Sequence, residues 1–316
     1  VLLDATFYTF DKGQQNAEGI YFDITNGLQE KFKKGTLAAA FADLCEGREN
    51  ARVYHLPQDK LRQIKSWPFI YWISDYFRTK FTENQSLDDL IDIRQGIATG
   101  DNNRFVRFWW ETDKSDWSEF HPSDLKKWVT YSKGGPYNKW YGNLWLKVAF
   151  DKDNERLLAT MGNHLPSKQY YFKESITYCG SGSKGTSFRY YPAGGLFDVG
   201  GSCIFPATSY SNNYYILGFL NSKIGFYIAD CFNPTANIQV GDLKRVPFII
   251  PNAKTEAFVE AIVKNNINIK KHLCQFSLIE PLFKESPIHT GAMSAKESLA
   301  TYYVYENGVL TQVLLN

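Results

Sequence analysis

The distribution of apolar residues predicts a mixed α+β protein. Short segments rich in β-branched and aromatic residues, bounded by Gly, Asn, Asp and Ser clusters, are typical of strands. Four of them lie in the middle of the chain, namely WLKVAF (145–150), YYFKESITY (170–178), GLFDV (195–199) and SCIFPA (202–207). Near the start, VLLDATFYTF (1–10) and EGIYFDI (18–24) are predicted to pair as strands around the turn-rich residues 11–19.

Helical spacing of apolar residues predicts two helices before position 240. The first covers 27–47, where Gly47 is suited to end a helix. The residues expected to face inward are Leu28, Phe32, Leu37 and Phe41. The second covers 213–232 as one continuous helix. Its repeating apolar residues are Leu217, Leu220, Ile224 and Tyr227.

A third helix is predicted from residue 255, with Thr255 as its N-cap. One apolar stripe is expected on it, formed by Phe258, Val259, Ile262 and Val263. After a loop over 284–298, the pattern of TYYVYENGVLTQVLLN (301–316) predicts a short strand-like tail.

These patterns divide the chain into three zones. Residues 1–68 resemble the closing edge of a preceding domain and a linker, 69–250 a strand-rich α+β domain with flanking helices, and 251–316 a C-terminal helix and tail. The chain begins with Val1 and not with Met, so we expect it to be a piece of a longer protein.

Composition restricts the possible core and binding partners only slightly. With 316 residues of which 44% are hydrophobic, the chain can bury one large core or two ordinary ones. Its net charge of +2 is too small to demand a polyanionic partner, although a local basic face stays compatible with it. The aromatic share of 16% suits either a β-rich core or a surface that stacks on flat ligands.

Cysteine and histidine usage argues against a structural zinc site. The five cysteines are scattered without a Cys-x-x-Cys pair, and the five histidines form no metal-spaced pair. This usage predicts a reducing, cytoplasmic location. No apolar run reaches membrane-spanning length and no signal peptide precedes residue 10, so no membrane partner is expected.

None of the stretches that resemble a catalytic motif matches that motif in full. GSGSKGTS (180–187) places its lysine before the glycine, unlike a Walker loop, and GGLFDVGG (194–201) lacks dinucleotide-binding spacing. NPTA (233–236) lacks the second proline and the aromatic residue with which methyltransferases of bases hold a flipped adenine. Asp124 together with Asp113 or Asp116 can be fitted to the metal-binding motif of a restriction-type nuclease, but a solvated helix explains these residues better. We therefore expect this chain alone to hold no cofactor and to catalyse nothing.

Three loops combine glycine, basic and aromatic residues as DNA-facing surfaces do. They are YSKGGPYNKWYGN (131–143), GSGSKGTSFRYYP (180–192) and the Gly-x-x-x-Gly stretch IRQGIATGDNNRFVRFWWE (93–111). The candidate DNA-binding residues are Lys133, Tyr137, Lys139, Trp140, Lys184, Ser187, Arg189, Asn102, Arg104 and Arg107. Taken singly, each basic residue is more often a solvated side chain, so the cluster is the better evidence.

The stretch 93–111 and residues 233–247 also have a structural interpretation, and whether 93–111 touches DNA or only builds the platform that does stays open. Gly96 and Gly100 are predicted to form a tight turn that brings Asp101–Arg104 to the rim of the domain. That turn should start a strand carrying Arg107, Trp109 and Trp110. In NPTANIQVGDLKRVP (233–247), asparagines are expected to cap turns and Gly241 to mark a bend.

Five blocks in order resemble a known family. FIYWISDYFRTKF (69–81), residues 93–111, 131–143 and 170–205, and LGFLNSKIGFYIADCFNPTANIQVGDLKRVPF (217–248) resemble the C-terminal half of the large PglX-like adenine-specific DNA methyltransferases of BREX-type phage-defence systems. More distantly they resemble recognition regions of type IIG and type I restriction-modification proteins. Residues from about 281 onward depart from the family pattern.

The resemblance implies a parent protein that uses S-adenosylmethionine to methylate adenine in a specific site on double-stranded DNA. It also implies that about 86–248 form the target-recognition domain. Two alternatives stay open. One is a protein-interaction module that docks on other defence-system subunits, and the other is an uncharacterised nuclease.

Overall fold

A computed structural model describes residues 17–24, 30–118, 126–180, 185–207, 210–233, 238–289 and 294–316. The chain divides into two compact units, Val1–Gln85 and Ser86–Asn316. Helices and several small sheets are present together, so the expected α+β class is confirmed. Among the described residues, no helix combines the length and apolar character required to cross a membrane.

Among the described residues of the first unit, two strands form an antiparallel pair. Strand β1 (Glu18–Phe22) pairs with β2 (Val53–Pro57), with Tyr21 opposite Tyr54. The partner expected for β1, residues 1–10, lies outside the described residues. The helices of this unit are α1 (Glu30–Cys45), α2 (Gln58–Leu61) and α3 (Asp75–Glu83).

Helix α1 confirms the predicted helix, but its predicted inward face is wrong. Phe32 and Phe41 are 53% and 56% exposed, while Ala40 and Lys33 are buried. Helical spacing shows that residues share a face without showing which face is covered. Gly47 follows the helix at φ +70, as expected of a terminating glycine. Leu28 lies outside the described residues.

The second unit contains two four-stranded sheets. The first has the order β10 (Gly195–Phe197), β6 (Trp128–Ser132), β7 (Leu146–Ala149), β5 (Val106–Phe108), and its β10–β6 pair is parallel. The second has the order β4 (Ile91–Arg94), β11 (Cys203–Pro206), β8 (Ser175–Tyr178), β9 (Phe188–Tyr191) and is antiparallel. Phe197 and Phe205 join the two sheets with ring centroids 5.6 Å apart.

Two short strands and seven further helices are also described. Strand β3 is Gln85–Ser86 and β12 is Pro247–Phe248. The helices are α4 (Asn102–Phe105), α5 (Lys152–Thr160), α6 (Asn213–Asn221), α7 (Lys223–Phe232), α8 (Val240–Lys244), α9 (Ala253–Cys274) and α10 (Ala295–Leu315). The interpretation of Gly241 as a bend is wrong, because it lies inside α8.

The single helix predicted over 213–232 is two helices. Ser222 between α6 and α7 is extended, with ψ 163, and its hydroxyl accepts a hydrogen bond from the Gly225 amide at 3.0 Å. Because Ser222 caps a new helix, the helix breaks there even though the apolar residues keep helical spacing on both sides of it. Leu217 and Leu220 are buried as expected, whereas Ile224 and Tyr227 on α7 are exposed.

Three expectations about the C-terminal zone are also wrong. The N-cap of α9 is Asn252, whose side chain accepts from the Thr255 amide at 2.9 Å, and Phe258 of the expected stripe is 66% exposed. The predicted strand-like tail is the long helix α10. Ser294 and Glu297 form a capping box at its start, and this local signal outweighs the β-favouring Tyr and Val residues.

Candidate nucleic-acid interface

The chain between β4 and α4 is held in place from two sides. The side chain of Asn163 accepts from the Ala98 amide at 2.9 Å and donates to the Gly96 carbonyl at 2.8 Å. On the other side, the Ile97 amide donates to the carbonyl of Phe197 in β10 at 2.8 Å. Side-chain and strand partners therefore fix this segment without a regular element of its own.

Glycine is required at the points where this segment is most closely approached. A Cβ at Gly96 would lie 1.8 Å from the Phe197 carbonyl oxygen. A Cβ at Gly162 would lie 1.7 Å from the Ala98 oxygen, and Gly162 also has φ +57. Gly100 has φ +73 and faces the Gly162 backbone. The turn predicted from Gly96 and Gly100 is thus a closely packed connection with positive φ at Gly100.

Residues Asp101–Phe105, here called the tip, follow this connection. The Asp101 carboxylate accepts from the Arg104 amide at 3.1 Å, so it caps the single turn of α4. Phe105 is fully buried and anchors the tip, while Asn102 and Arg104 are exposed. The expected strand begins one helical turn late, because α4 precedes β5, and Trp109 lies in a 3-10 turn after it.

Residues Lys133–Trp140, here called the aromatic-basic loop, follow β6 and meet the tip. Lys133 Nζ lies 3.2 Å from Asn102 Oδ1, although the two residues are 31 positions apart. The same ammonium group pairs with Asp198 Oδ2 at 2.7 Å. Asp198 also accepts from the Tyr131 hydroxyl at 2.6 Å, and burial together with this carboxylate raises the pKa of Tyr131 well above its usual value. The structure therefore brings two predicted residues together around a buried acid.

Arg189 supports the aromatic-basic loop from inside the protein. Its side chain is 0% exposed and donates to the carbonyls of Gly134 at 3.1 Å and Asn138 at 3.3 Å. Burial lowers the pKa of its guanidinium to about 10. Ser187 is buried as well, and its hydroxyl accepts from the Asn138 amide at 3.3 Å. In this conformation neither side chain reaches the surface on which DNA contact was expected.

The other loop residues divide between packing and exposure. Lys139 Nζ donates to the carbonyl of Asn221, the last residue of α6, at 2.8 Å, and burial lowers the pKa of this lysine. Trp140 is half-buried with φ +76, and its amide bonds to the Phe188 carbonyl of β9. Tyr137 is exposed at the outer end of the loop. Lys184 lies outside the described residues.

Arg107 and Arg104 differ in what they contact. Arg107 Nη1 donates to the carbonyls of Asn103 at 2.5 Å and Val106 at 2.7 Å, so this side chain closes the C-terminal end of the tip. Arg104 is exposed, and its Cζ lies over the Phe105 ring at 5.3 Å from the ring centroid. Of the two arginines, Arg104 is the more exposed.

Several supporting residues were missed by the sequence reasoning. Asn163 clamps the connection to the tip and Asp198 holds Lys133. Glu280 is buried and its carboxylate accepts from the amides of Asn143 at 2.8 Å and Leu144 at 3.5 Å, while burial raises its pKa. Only the Gly-Asn pair at 162–163 carries a local signal, since such a pair marks a turn.

The tip and the aromatic-basic loop offer hydrogen-bonding, basic and aromatic groups to a ligand. Within the described ranges, no set of His, Cys, Asp and Glu residues could hold a metal ion. Asp113 accepts from the Ser115 amide at 2.8 Å as the cap of a 3-10 turn. Asp124, on which the nuclease alternative rests, lies outside the described residues.

Comparison with known proteins relates the chain to adenine-specific methyltransferases. It is 29% identical over 208 residues to the adenine-specific methyltransferase PglX of Lacticaseibacillus casei (strain Zhang), which covers 62% of this chain. It is 31% identical over 216 residues to the adenine-specific methyltransferase BrxX of Escherichia coli O9:H4 (strain HS), which covers 68% of this chain. No protein-family model matches the chain.

The similarity concerns a small part of these relatives. The aligned residues span 17% of the length of PglX and 17% of the length of BrxX. The chain is therefore related to a segment of adenine-specific methyltransferases.

Proposed function

We propose that this chain is the part of an adenine-specific DNA methyltransferase that recognises the target sequence on duplex DNA. The observation that carries the proposal is the meeting of the tip and the aromatic-basic loop at Lys133 and Asn102. Two segments distant in sequence thereby present polar, basic and aromatic side chains side by side, in a chain similar to adenine-specific methyltransferases.

The residues of this surface take different roles in the proposal. Lys133, Lys139 and Tyr137 hold the DNA backbone, because ammonium and hydroxyl groups bind phosphate oxygens. Lys139 uses one of its three ammonium donors on the Asn221 carbonyl, and the other two serve the phosphate in this proposal. Arg104 and Asn102 lie where base edges are read. Lys184 stays a proposed phosphate contact. Trp140, Ser187, Arg107 and Arg189 act by fixing the loop and the tip, Trp140 through its backbone amide and the other three through side chains that are occupied internally.

Catalysis in this proposal belongs to the longer parent protein. The parent binds S-adenosylmethionine and methylates adenine in a phage-defence system, while this segment selects the site. The absence of the Asn/Asp-Pro-Pro-aromatic motif from the sequence supports this division.

Salt-dependent DNA binding tests the proposal. Fluorescence anisotropy of the full chain with a labelled duplex pool should show affinity that falls steeply with salt, because each neutralised phosphate contributes about 0.9 to the log-log slope. The double variant Lys133→Gln/Lys139→Gln should bind more weakly and with a smaller slope. Arg156→Gln is the matched control, since this α5 side chain is 80% exposed. Absence of binding at the lowest salt overturns the proposal.

The stacked pair of Phe108 and Trp110 favours a second candidate, a protein-interaction module. Their rings lie 4.5 Å apart at 4° and both are exposed. Exposed aromatic residues are enriched in protein interfaces. Under this alternative the chain binds another defence-system subunit, Phe108→Ser/Trp110→Ser abolishes that complex, and no duplex DNA is bound at low salt.

A further inference from the structure

The three polar side chains of the tip region are not equivalent, and this difference deepens the proposed function, on which the inference rests. Asn102 Oδ1 already accepts from the Thr99 hydroxyl at 2.8 Å and from Lys133. Arg107 directs its guanidinium at the backbone of the tip itself. Within the part of the chain that the structure describes, the guanidinium of Arg104 has no hydrogen-bond or ion-pair partner.

We propose that Arg104 is a specificity-determining residue that reads a guanine in the major groove. An arginine fork donates two parallel hydrogen bonds to guanine O6 and N7, which is the commonest specific contact between a side chain and a base. The Arg104 Cζ lies over the Phe105 ring, 5.3 Å from its centroid, and the side chain is exposed, so its N–H donors are available to a ligand. The ligand is thus a G·C pair within a duplex.

The support beneath Arg104 is what a reading residue requires. Discrimination between bases needs a donor held in one place, whereas a phosphate contact tolerates a mobile side chain. Asp101 caps the turn that carries Arg104, and the buried Phe105 anchors its far end. Behind the tip, Asn163 clamps the Gly96–Ala98 backbone on one side and β10 bonds it on the other.

Lys133 provides the internal contrast. Its ammonium pairs with Asp198, whose side chain is 9% exposed, so its charge is partly compensated before any ligand arrives. An ammonium group also lacks the planar fork that distinguishes guanine from other bases. Lys133 therefore fits a positioning contact to phosphate beside the residue that reads the base.

The test compares base preference with salt dependence in the same variants. The full chain is first used to select preferred duplexes from a random pool, and single base-pair changes are then measured by competition. Wild type should prefer guanine at one position by about tenfold or more. Arg104→Lys, which keeps the charge, should lose that preference while the salt slope stays unchanged. Lys133→Gln should keep the preference and weaken binding to all duplexes with a slope smaller by about 1.

The outcomes separate the two proposals. A base preference that is the same in wild type, Arg104→Lys and Arg104→Gln overturns the role of Arg104, even where binding itself persists. Binding of wild type without any preference also overturns it. No binding of wild type to any duplex overturns the proposed function, and this inference with it. Thermal unfolding midpoints of both Arg104 variants should match wild type, because the exposed guanidinium makes no hydrogen bond to the fold.

Discussion

At the scale of the residue, burial decides which arginine can meet a ligand. Arg189 and Arg104 were predicted from the same kind of sequence context, yet one lies in the interior and the other faces solvent. The buried guanidinium of Arg189 donates to two loop carbonyls, and among the described residues its Nε has no hydrogen-bond partner. Its contribution to DNA binding should therefore be indirect, through the position of the aromatic-basic loop.

Arg189→Met should destabilise the protein and leave the salt slope of DNA binding unchanged. The substitution removes a donor from both carbonyls. The Gly134 carbonyl keeps the Asn143 side-chain amide at 3.3 Å, whereas the Asn138 carbonyl loses its Arg189 donor, and a buried carbonyl without a partner costs about 1–3 kcal/mol. DNA affinity should fall, because the aromatic-basic loop loses its internal support. The number of displaced counterions should stay constant, because Arg189 touches no phosphate in the proposal. Chemical denaturation and anisotropy across a salt series measure the two effects.

Arg156→Met is the matched control, and it should change neither the unfolding free energy nor the affinity, since Arg156 is solvated. A salt slope smaller by about 0.9 in Arg189→Met would show a direct phosphate contact and contradict the buried, positioning role.

At the scale of the element, close backbone contacts determine where the tip lies. Gly162 follows α5 and its backbone approaches the connection between β4 and α4. Gly162→Ala should destabilise the protein by about 2 kcal/mol or more, because a Cβ would overlap the Ala98 oxygen and φ is positive. Denaturant unfolding measures the loss, and DNA affinity should fall with it because the tip is displaced.

Gly241→Ala is the control for this change. A Cβ at Gly241 meets nothing within 4 Å, and the residue lies inside α8. Alanine is favoured over glycine within helices, so this variant should be as stable as wild type or more stable by up to about 1 kcal/mol. A neutral Gly162→Ala would contradict the view that the α5 end fixes the tip.

The same scale shows how far sequence alone could go. Local periodicity and caps correctly predicted α1 and the strands at 146–149, 175–178 and 203–206. These local signals failed at Ser222, where one hydroxyl caps a new helix, and in α10, where β-favouring residues follow a capping box. The contact of Lys133 with Asn102 and the burial of Arg189 depend on long-range packing, for which one sequence carries no local signal.

At the scale of the whole molecule, the candidate surface depends on parts of the second unit that are distant in sequence. Strand β4 pairs with β11, the Trp109 indole donates to the Ile279 carbonyl at 3.0 Å, and Glu280 holds the backbone at Asn143. An exchange of residues 133–189 alone between relatives would combine the aromatic-basic loop of one relative with the tip and Glu280 of the other. Transfer of specificity should therefore require a larger segment.

Exchange of the entire unit Ser86–Asn316 between two full-length relatives that modify different sites should transfer the site. Under the proposed function, sequencing of modified adenines in cells carrying the chimera should give the context of the donor of this unit. Exchange of 133–189 alone should give little modification, because Lys133 would meet an unmatched partner at Asn102 and the backbone at Asn143 an unmatched partner at Glu280. A chimera with the whole unit exchanged that still modifies the recipient's site would place target recognition elsewhere in the parent protein.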